Sequence, residues 1–376
     1  MFPLEKIIDD QLKKIKESTP FLIFPESLDP RVIEAASALV GLATVIFVGD
    51  EYQVKQVIKD KDITLKISQT RFFESVVFVS PQNYPELSDE FSKELYSASR
   101  NKSWSMNIDT ARELVKQPVY FAILAVRLGY ANAVLGGLTM SSKDFFRPCL
   151  RLLEKSRTVY EMALFALPDS HVSDMFEKNL VMFADVALNP DPNHERLVDI
   201  AVGACKTMRN IIPETELKNI NGAILSYSTR GSGEGPSVEK IRRAEPLIQK
   251  RLKQLAEDNP FYKSINIVTE LQIGCAVSKE AAKTKLAEMA DANPAIGASN
   301  VLIVPTLDSG NLLYHIYSTR YPDASCVLII GGLKNQALDF SRNSKTEEII
   351  LGAKALMLRL VKSGRFKLTL KGTFIK

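Results

Sequence analysis

Short apolar runs of about four to six residues alternate along this chain with stretches whose apolar residues recur every three or four positions. The first pattern predicts buried strands and the second amphipathic helices, so their alternation predicts βαβ units on mostly parallel sheets. Strands are expected at 21–24, 43–48, 76–79, 131–135, 180–183, 222–225, 301–304 and 327–330. A helix should begin at Pro30, because Asp29 offers an N-cap carboxylate and proline suits the first helical position. Helices are also expected over 194–208 and 345–361. The region 80–105 reads as an exposed connection, since Pro81, Asn83 and Pro85 interrupt it and residues 97–105 are polar. The chain has no repeat of solenoid length.

Length changes the picture first. At 376 residues the chain exceeds what one hydrophobic core usually supports, so two domains are expected. A 45% hydrophobic and 24% charged composition is that of a globular protein, and no apolar run reaches the roughly 18 residues of a membrane span. The start, Met1-Phe2-Pro3-Leu4-Glu5-Lys6, lacks the basic and then apolar pattern of a secretory signal. Cys149, Cys205, Cys275 and Cys326 stand far apart with no histidine at ligand spacing, which argues against a metal site and for a reduced, cytoplasmic setting. Three histidines, His171, His194 and His315, make a histidine-based triad improbable; each reads as structural or superficial. A net charge of +4 is too small to indicate nucleic acid. Lys354, Arg359, Lys362, Arg365, Lys367, Lys371 and Lys376 form an acid-free end, either a solvated tail or a surface for a polyanionic or acidic partner.

One loop suggests chemistry. Ser226-Tyr227-Ser228-Thr229-Arg230-Gly231-Ser232-Gly233 follows the expected strand at 222–225. Hydroxyls, glycines that allow backbone N–H groups to approach a ligand, and an arginine fork would make an anion cradle at a strand end, where open α/β sheets bind phosphorylated ligands. A loop of this composition is also common as nothing more than a turn.

Other segments join it in order: Gly136-Gly137, Ser141-Ser142, Phe146-Arg147-Pro148, the run from Phe183 to Pro190, the stretch from Pro305 to Asn311 with Tyr314, and Asp339-Phe340-Ser341-Arg342. Together they resemble the phosphate acetyltransferase and butyryltransferase family, from about Pro25 to Leu360. The resemblance implies two Rossmann-like αβα domains, the second (158–327) inserted in the first (1–157 and 328–376), with a cleft between them. It implies a homodimer that needs no metal or redox cofactor. The reaction it implies moves an acetyl group between coenzyme A and phosphate, forming or consuming acetyl phosphate. A butyryl or other acyl specificity, and a non-catalytic homologue that binds coenzyme A or a protein, are the alternatives.

Such a transfer must hold a dianion beside an activated carbonyl, generate a thiolate, and stabilise oxygen charge in the transition state. The resemblance assigns Arg147 and Arg342 to the phosphate, a task suited to planar guanidinium forks. It assigns Ser341 to the reacting carbonyl as a hydrogen-bond donor. A carboxylate is expected seven residues later, and there stands Glu348, near a helix start whose dipole should lower its pKa; an ordinary helix-stabilising acid is the competing reading. Arg31 falls on a position that contacts coenzyme A or phosphate. Arg100 corresponds loosely to another arginine. Ser228, Thr229, Arg230 and Gly231 would line the cleft, with Asn311 and Tyr314 shaping it.

This chain departs from the family pattern at Met140, Asp308, Gly274, Val327-Leu328 and the segment from Lys334 to Leu338, which includes Asn335 and Gln336. Leu338, in place of an amide, should remove one hydrogen bond and so about 0.5–1.5 kcal/mol if that bond lay in the cleft.

Overall fold

The computed structural model describes residues 2–14, 19–169, 175–334 and 336–364. His171, Asn335 and the tail residues Arg365, Lys367, Lys371 and Lys376 lie outside the described residues. The chain runs through α1 (Leu4–Lys13), β1 (Phe21–Phe24), α2 (Pro30–Leu39), β2 (Thr44–Val48), α3 (Glu51–Asp60), α4 (Gln69–Ser75) and β3 (Val77–Val79). There follow α5 (Pro85–Ser99), α6 (Ile108–Val115), α7 (Pro118–Arg127), β4 (Ala133–Gly136) and α8 (Ser142–Leu152). The middle holds β5 (Tyr160–Ala166), β6 (Leu180–Ala184), α9 (His194–Ile211), β7 (Ile220–Leu225), α10 (Pro236–Asp258) and β8 (Ile265–Leu271). Then come α11 (Ile273–Val277), α12 (Lys279–Leu286), β9 (Val301–Ile303), α13 (Leu307–Arg320), β10 (Ser325–Gly331), β11 (Ala337–Asp339) and α14 (Thr346–Lys362).

Contacts divide the chain into two units, one of Leu12–Lys155 with Leu333–Lys376, the other of Met1–Gln11 with Ser156–Gly332. The first unit carries a five-stranded sheet of order β11-β4-β1-β2-β3 in which every pairing is parallel. Its strands are brief apolar runs because helices cover both faces and leave no solvated side to alternate toward. Leu22, Phe24, Val45 and Phe47 are buried with Ile33, Ala36, Leu338 and Phe340, and with Ile349, Ala353 and Met357 of α14. The second unit has a six-stranded sheet, β10-β5-β6-β9-β7-β8. Five of its strands run in one direction, and β5 alone is reversed, antiparallel to both β6 and β10.

All eight expected strands are present, most displaced by no more than a residue or two at an end. The Asp29 carboxylate caps α2 as expected, accepting from the Arg31 backbone N–H at 2.9 Å. The expectation for 80–105 was wrong. Pro85 occupies the first turn of a 15-residue helix, α5, and Phe91 and Leu95, one turn apart, are buried. Phe91 packs its ring 4.9 Å from Phe121 and 5.6 Å from Tyr130. The polar surface of this helix masked two anchors at i and i+4, and that is enough to bind a helix to a core. Strands β5, β8 and β11 were also missed.

The loss foreseen at Leu338 does not occur. Side chains alternate along β11, so Leu338 joins the core, where a Cβ on Gly352 of α14 would sit 3.1 Å from it. Asp339 faces the other way.

In the second unit Gly310, in the first turn of α13, lies against the backbone following β6: a Cβ there would stand 2.0 Å from the Asp185 carbonyl oxygen. Backbone cannot yield as a flexible side chain does. Gly310→Ala should therefore cost about 1–3 kcal/mol by overpacking, read as a lower urea midpoint at unchanged slope; a midpoint equal to wild type would show that α13 shifts freely.

Candidate active site

In the first unit β1 is flanked by β2 on one side and β4 on the other, so successive crossovers leave it in opposite directions. A crevice opens at that point beyond the C-terminal ends of the strands, the usual ligand position in such sheets. It is a cavity of about 1040 Å³ whose lining includes Glu26, Asp29, Asp50, Lys116, Thr139 and Asp144.

Three ionisable side chains tie the loops around it. Glu26, two residues past β1, is buried and accepts from the Leu138 N–H at 3.0 Å, the Thr139 N–H at 2.5 Å and the Thr139 hydroxyl at 2.6 Å. Arg31 donates through Nε and Nη2 to the two oxygens of Asp29, at 3.0 and 2.7 Å. Its Nη1 donates to the Arg342 carbonyl at 2.8 Å and the Ser344 carbonyl at 2.9 Å. Asp339, 4% exposed, ends β11; its carboxyl lies near the Ser142 hydroxyl, while Oδ1 has no partner among the described residues. Burial pushes Asp339 up to about 7, with the Glu26 charge adding to the shift and Ser142 opposing it. Burial, then the nearby Asp339, also pushes up the Cys149 thiol on α8.

Sequence reasoning placed Ser142 and Asp339 within the matching segments but gave them no role, and gave none to Glu26. The available signal was position: each is polar and stands within a few residues of the end of a short apolar run, where parallel sheets place their functional groups.

The expected residues fall as follows. Arg147 is exposed on α8 and Arg342 is exposed three residues past β11; neither side chain has a hydrogen bond or ion pair among the described residues. Helix α8 packs against β11, so both arginines rest on adjoining elements. Ser341, half-buried between Asp339 and the strap of Arg31, accepts only a long 3.4 Å contact from the Asn343 N–H. Arg31 directs its fork into the protein. Glu348 reaches back from the third position of α14 to the Lys345 N–H at 3.2 Å, and the Ser344 hydroxyl also bonds it. The expected direction of its titration is reversed: burial raises its pKa, outweighing the hydrogen bonds that lower it. Arg100 is the residue that ends α5.

In the second unit the loop after β7 does cradle an anion, but one from its own chain. The Glu270 carboxylate of β8 accepts from the Gly231 N–H at 2.7 Å, the Ser228 hydroxyl at 2.7 Å, and Arg242 at 2.8 and 2.9 Å. Arg242 foremost, with Ser228 and Gly231, holds Glu270 down to about 2 against the effect of burial. Arg230 Nη1 donates to both oxygens of Glu245, at 2.7 and 2.9 Å. Thr229 accepts from the Gln272 N–H at 3.1 Å. Asn311 lies exposed on α13, and Tyr314 packs 6.2 Å from Phe165. The clue missed in the sequence was Glu270 itself, a charge inside an apolar strand. Among the described residues no group of three or more His, Cys, Asp or Glu is arranged to hold a metal ion, and no helix is long and apolar enough to cross a membrane.

A family model described as phosphate acetyl/butaryl transferase matches residues 6–357. The phosphate acetyltransferase of Acetivibrio thermocellus is 29% identical over 355 residues, covering 92% of this chain and 95% of the relative. That of Clostridium acetobutylicum is 28% identical over 344 residues, covering 89% and 92%. The solved structure of a phosphotransacetylase from Streptococcus pyogenes aligns over 95% of this chain and 98% of its own, with a TM-score of 0.74 at 24% identity, and so shares the fold.

The raised pKa of Asp339 fixes the sign of a pH effect. An unfolded aspartate titrates near 3.8 and the folded one at about 7. The folded chain holds this proton more tightly, so stability is undiminished below the unfolded value and is lost as pH rises toward 7, with no further change above it. Asp339→Asn lacks this loss. Its stability relative to wild type should be greater at pH 8 than at pH 5 in denaturant melts; a difference independent of pH would contradict the burial of this carboxyl.

Proposed function

Because the chain belongs to the phosphate acetyl/butaryl transferase family, we propose that it moves an acetyl group between coenzyme A and phosphate: acetyl-CoA and phosphate give acetyl phosphate and coenzyme A. The observation that carries this reading is the pair of exposed guanidinium groups, Arg147 on α8 and Arg342 in the turn after β11, the strand α8 packs against, with no partner among the described residues. They offer forks to a phosphate dianion and positive charge to the oxygen that develops in the transition state.

In the direction that forms acetyl-CoA, the thiolate of coenzyme A attacks the acetyl carbonyl, and phosphate leaves with the electron pair of the broken C–O bond. Both substrates are bound when this happens. Ser341 donates to the carbonyl oxygen. Glu348 takes the thiol proton, and its raised pKa favours this role: the nearer a carboxylate's basicity comes to that of a thiol near 8.5, the more readily the proton moves. Arg31 acts from behind, fixing the carbonyls of Arg342 and Ser344 rather than touching substrate. Ser228, Thr229, Arg230 and Gly231 contribute shape, since Glu270 and Glu245 already neutralise their surroundings. Asn311 and Tyr314 belong with them. Coenzyme A is a substrate here, and no metal takes part in any step.

The enzyme works as a cytoplasmic homodimer. Cys149, Cys205 and Cys275 are buried and form no disulfide, which fits a reduced compartment. On α13 Leu312 and Ile316, one turn apart, are 61% and 50% exposed, and β10 stands at one end of the same unit's sheet. A second copy that covers both would bury them. Leu312→Asp with Ile316→Asp should convert a dimer to a monomer in light scattering; an unchanged mass would move the interface elsewhere.

Thioester absorbance with acetyl, propionyl and butyryl phosphates tests the reaction. Acetyl phosphate should be the best substrate, and coenzyme A binding without any turnover would leave a non-catalytic homologue. Arg342→Ala should lower turnover at least a hundredfold with the fold retained. Glu348→Gln should lose rate while coenzyme A affinity stays close to wild type; an unchanged rate would assign the proton to another group.

A further inference from the structure

Asp339 is the costliest residue near the strand ends. It is 4% exposed, one carboxyl oxygen has no partner among the described residues, and the Glu26 carboxylate lies close enough to repel it. A buried acceptor left unpaired lowers stability, and such groups persist where they serve some further end. An apolar side chain would suit the strand better.

The surroundings show what the carboxyl does. Strand β11 aligns Asp339 with Gly136 of β4, and the Phe340 N–H donates to the Gly136 carbonyl at 2.8 Å. The chain then turns at Gly137, whose φ of 104° suits glycine. A Cβ at 137 would stand 2.0 Å from Asp339 Oδ1 and 2.8 Å from the Phe340 carbonyl oxygen. Gly137 is thus bare where the carboxyl lies on it. On its far side lies Ser142, the first residue of α8, close enough to favour the charged carboxyl, and α8 carries Arg147. Two residues past the end of its strand come Ser341 and then Arg342.

Resting on the transfer reaction proposed above, we infer that Asp339 is a positioning residue, which locks the turn that starts the Arg147 helix to the strand end that delivers Ser341 and Arg342. The two arginines are thereby set by one side chain rather than by two independent loops. Small misplacements of such groups cost large factors in rate, so a single shared anchor matters more to turnover than to folding. The anchor works in its neutral form, which the crowding of Glu26 and the lack of water favour. Asparagine has the same shape and should replace it.

Three variants and two readouts decide this. Asp339→Ala should lower kcat at least thirtyfold while the KM for coenzyme A changes less than threefold. Asp339→Asn should recover kcat to within fivefold of wild type, and Ser142→Ala should lower it three- to tenfold. Amide hydrogen exchange on the same proteins should show 137–142 and 340–344 loosening together in Asp339→Ala and staying protected in Asp339→Asn. Wild-type kcat in Asp339→Ala, or equal damage from alanine and asparagine, would overturn the assignment. If the wild-type protein transfers no acyl group, the reaction fails and exchange alone judges the anchor: joint loosening sustains it, loosening of one segment or neither refutes it. Should Asp339→Ala not fold, Ser142→Ala must show the same joint loosening, weaker in degree, or the anchor is wrong.

Discussion

Charge withdrawn from water at the ends of three parallel strands governs this structure. A buried carboxylate or guanidinium costs several kcal/mol unless other groups replace its lost hydration. Glu26 regains it from the backbone beyond β4, the half-buried Arg31 is held by Asp29 and by two carbonyls beyond β11, and Asp339 is left with one oxygen unsatisfied. Apart from the Arg31–Asp29 pair, these bonds cross from one loop to another. The loops after β1, β4 and β11 are therefore satisfied only in one mutual arrangement, and that arrangement sets out Ser341, Arg342 and the start of the Arg147 helix.

Most of the framework was legible because it rests on local pattern. The runs Phe21-Leu22-Ile23-Phe24 and Thr44-Val45-Ile46-Phe47-Val48 read as buried strands, and Asp29-Pro30 as a helix start, since periodicity and capping act over a few residues. Illegible features depend on distant partners. Strand β11 has only three residues and gains its identity by pairing with β4, some two hundred positions away. Helix α5 was hidden because two buried anchors among polar residues look like a loop until Phe121 and Tyr130 are seen to receive Phe91. The titration of Glu348 reversed for the same reason: the helix dipole can be read from sequence, whereas burial by the rest of the fold cannot.

The loop at 226–233 shows a different limit. Ser228 and Gly231 do converge on a negative charge while Arg230 turns to Glu245 instead, and the sequence near the loop did not say whose charge it was. Glu270 supplies it from the neighbouring strand, with Arg242 closing the ion pair. Composition can thus reveal that a loop cradles an anion while leaving open whether the anion is a ligand or a strut. The answer lies in whether a carboxylate from elsewhere in the chain is within reach.

That test separates the arginines of this protein into two kinds. Arg31, Arg230 and Arg242 each hold a carboxylate of the chain, so their charge is already compensated and their role is to fix shape. Arg147 and Arg342 have no such partner among the described residues, although they stand beside a network that binds nearly every donor and acceptor around it. Isolated surface arginines are commonplace and by themselves signify little. Here the supports beneath them are more demanding than folding requires: a repelled, half-satisfied Asp339 and an Arg31 spent on main-chain carbonyls are poor ways to stabilise a core. Rigid support under uncompensated charge is what a site needs if it is to meet a dianion without reorganising, and the unfavourable burial of Asp339 makes sense only if that readiness is worth more than the stability it costs.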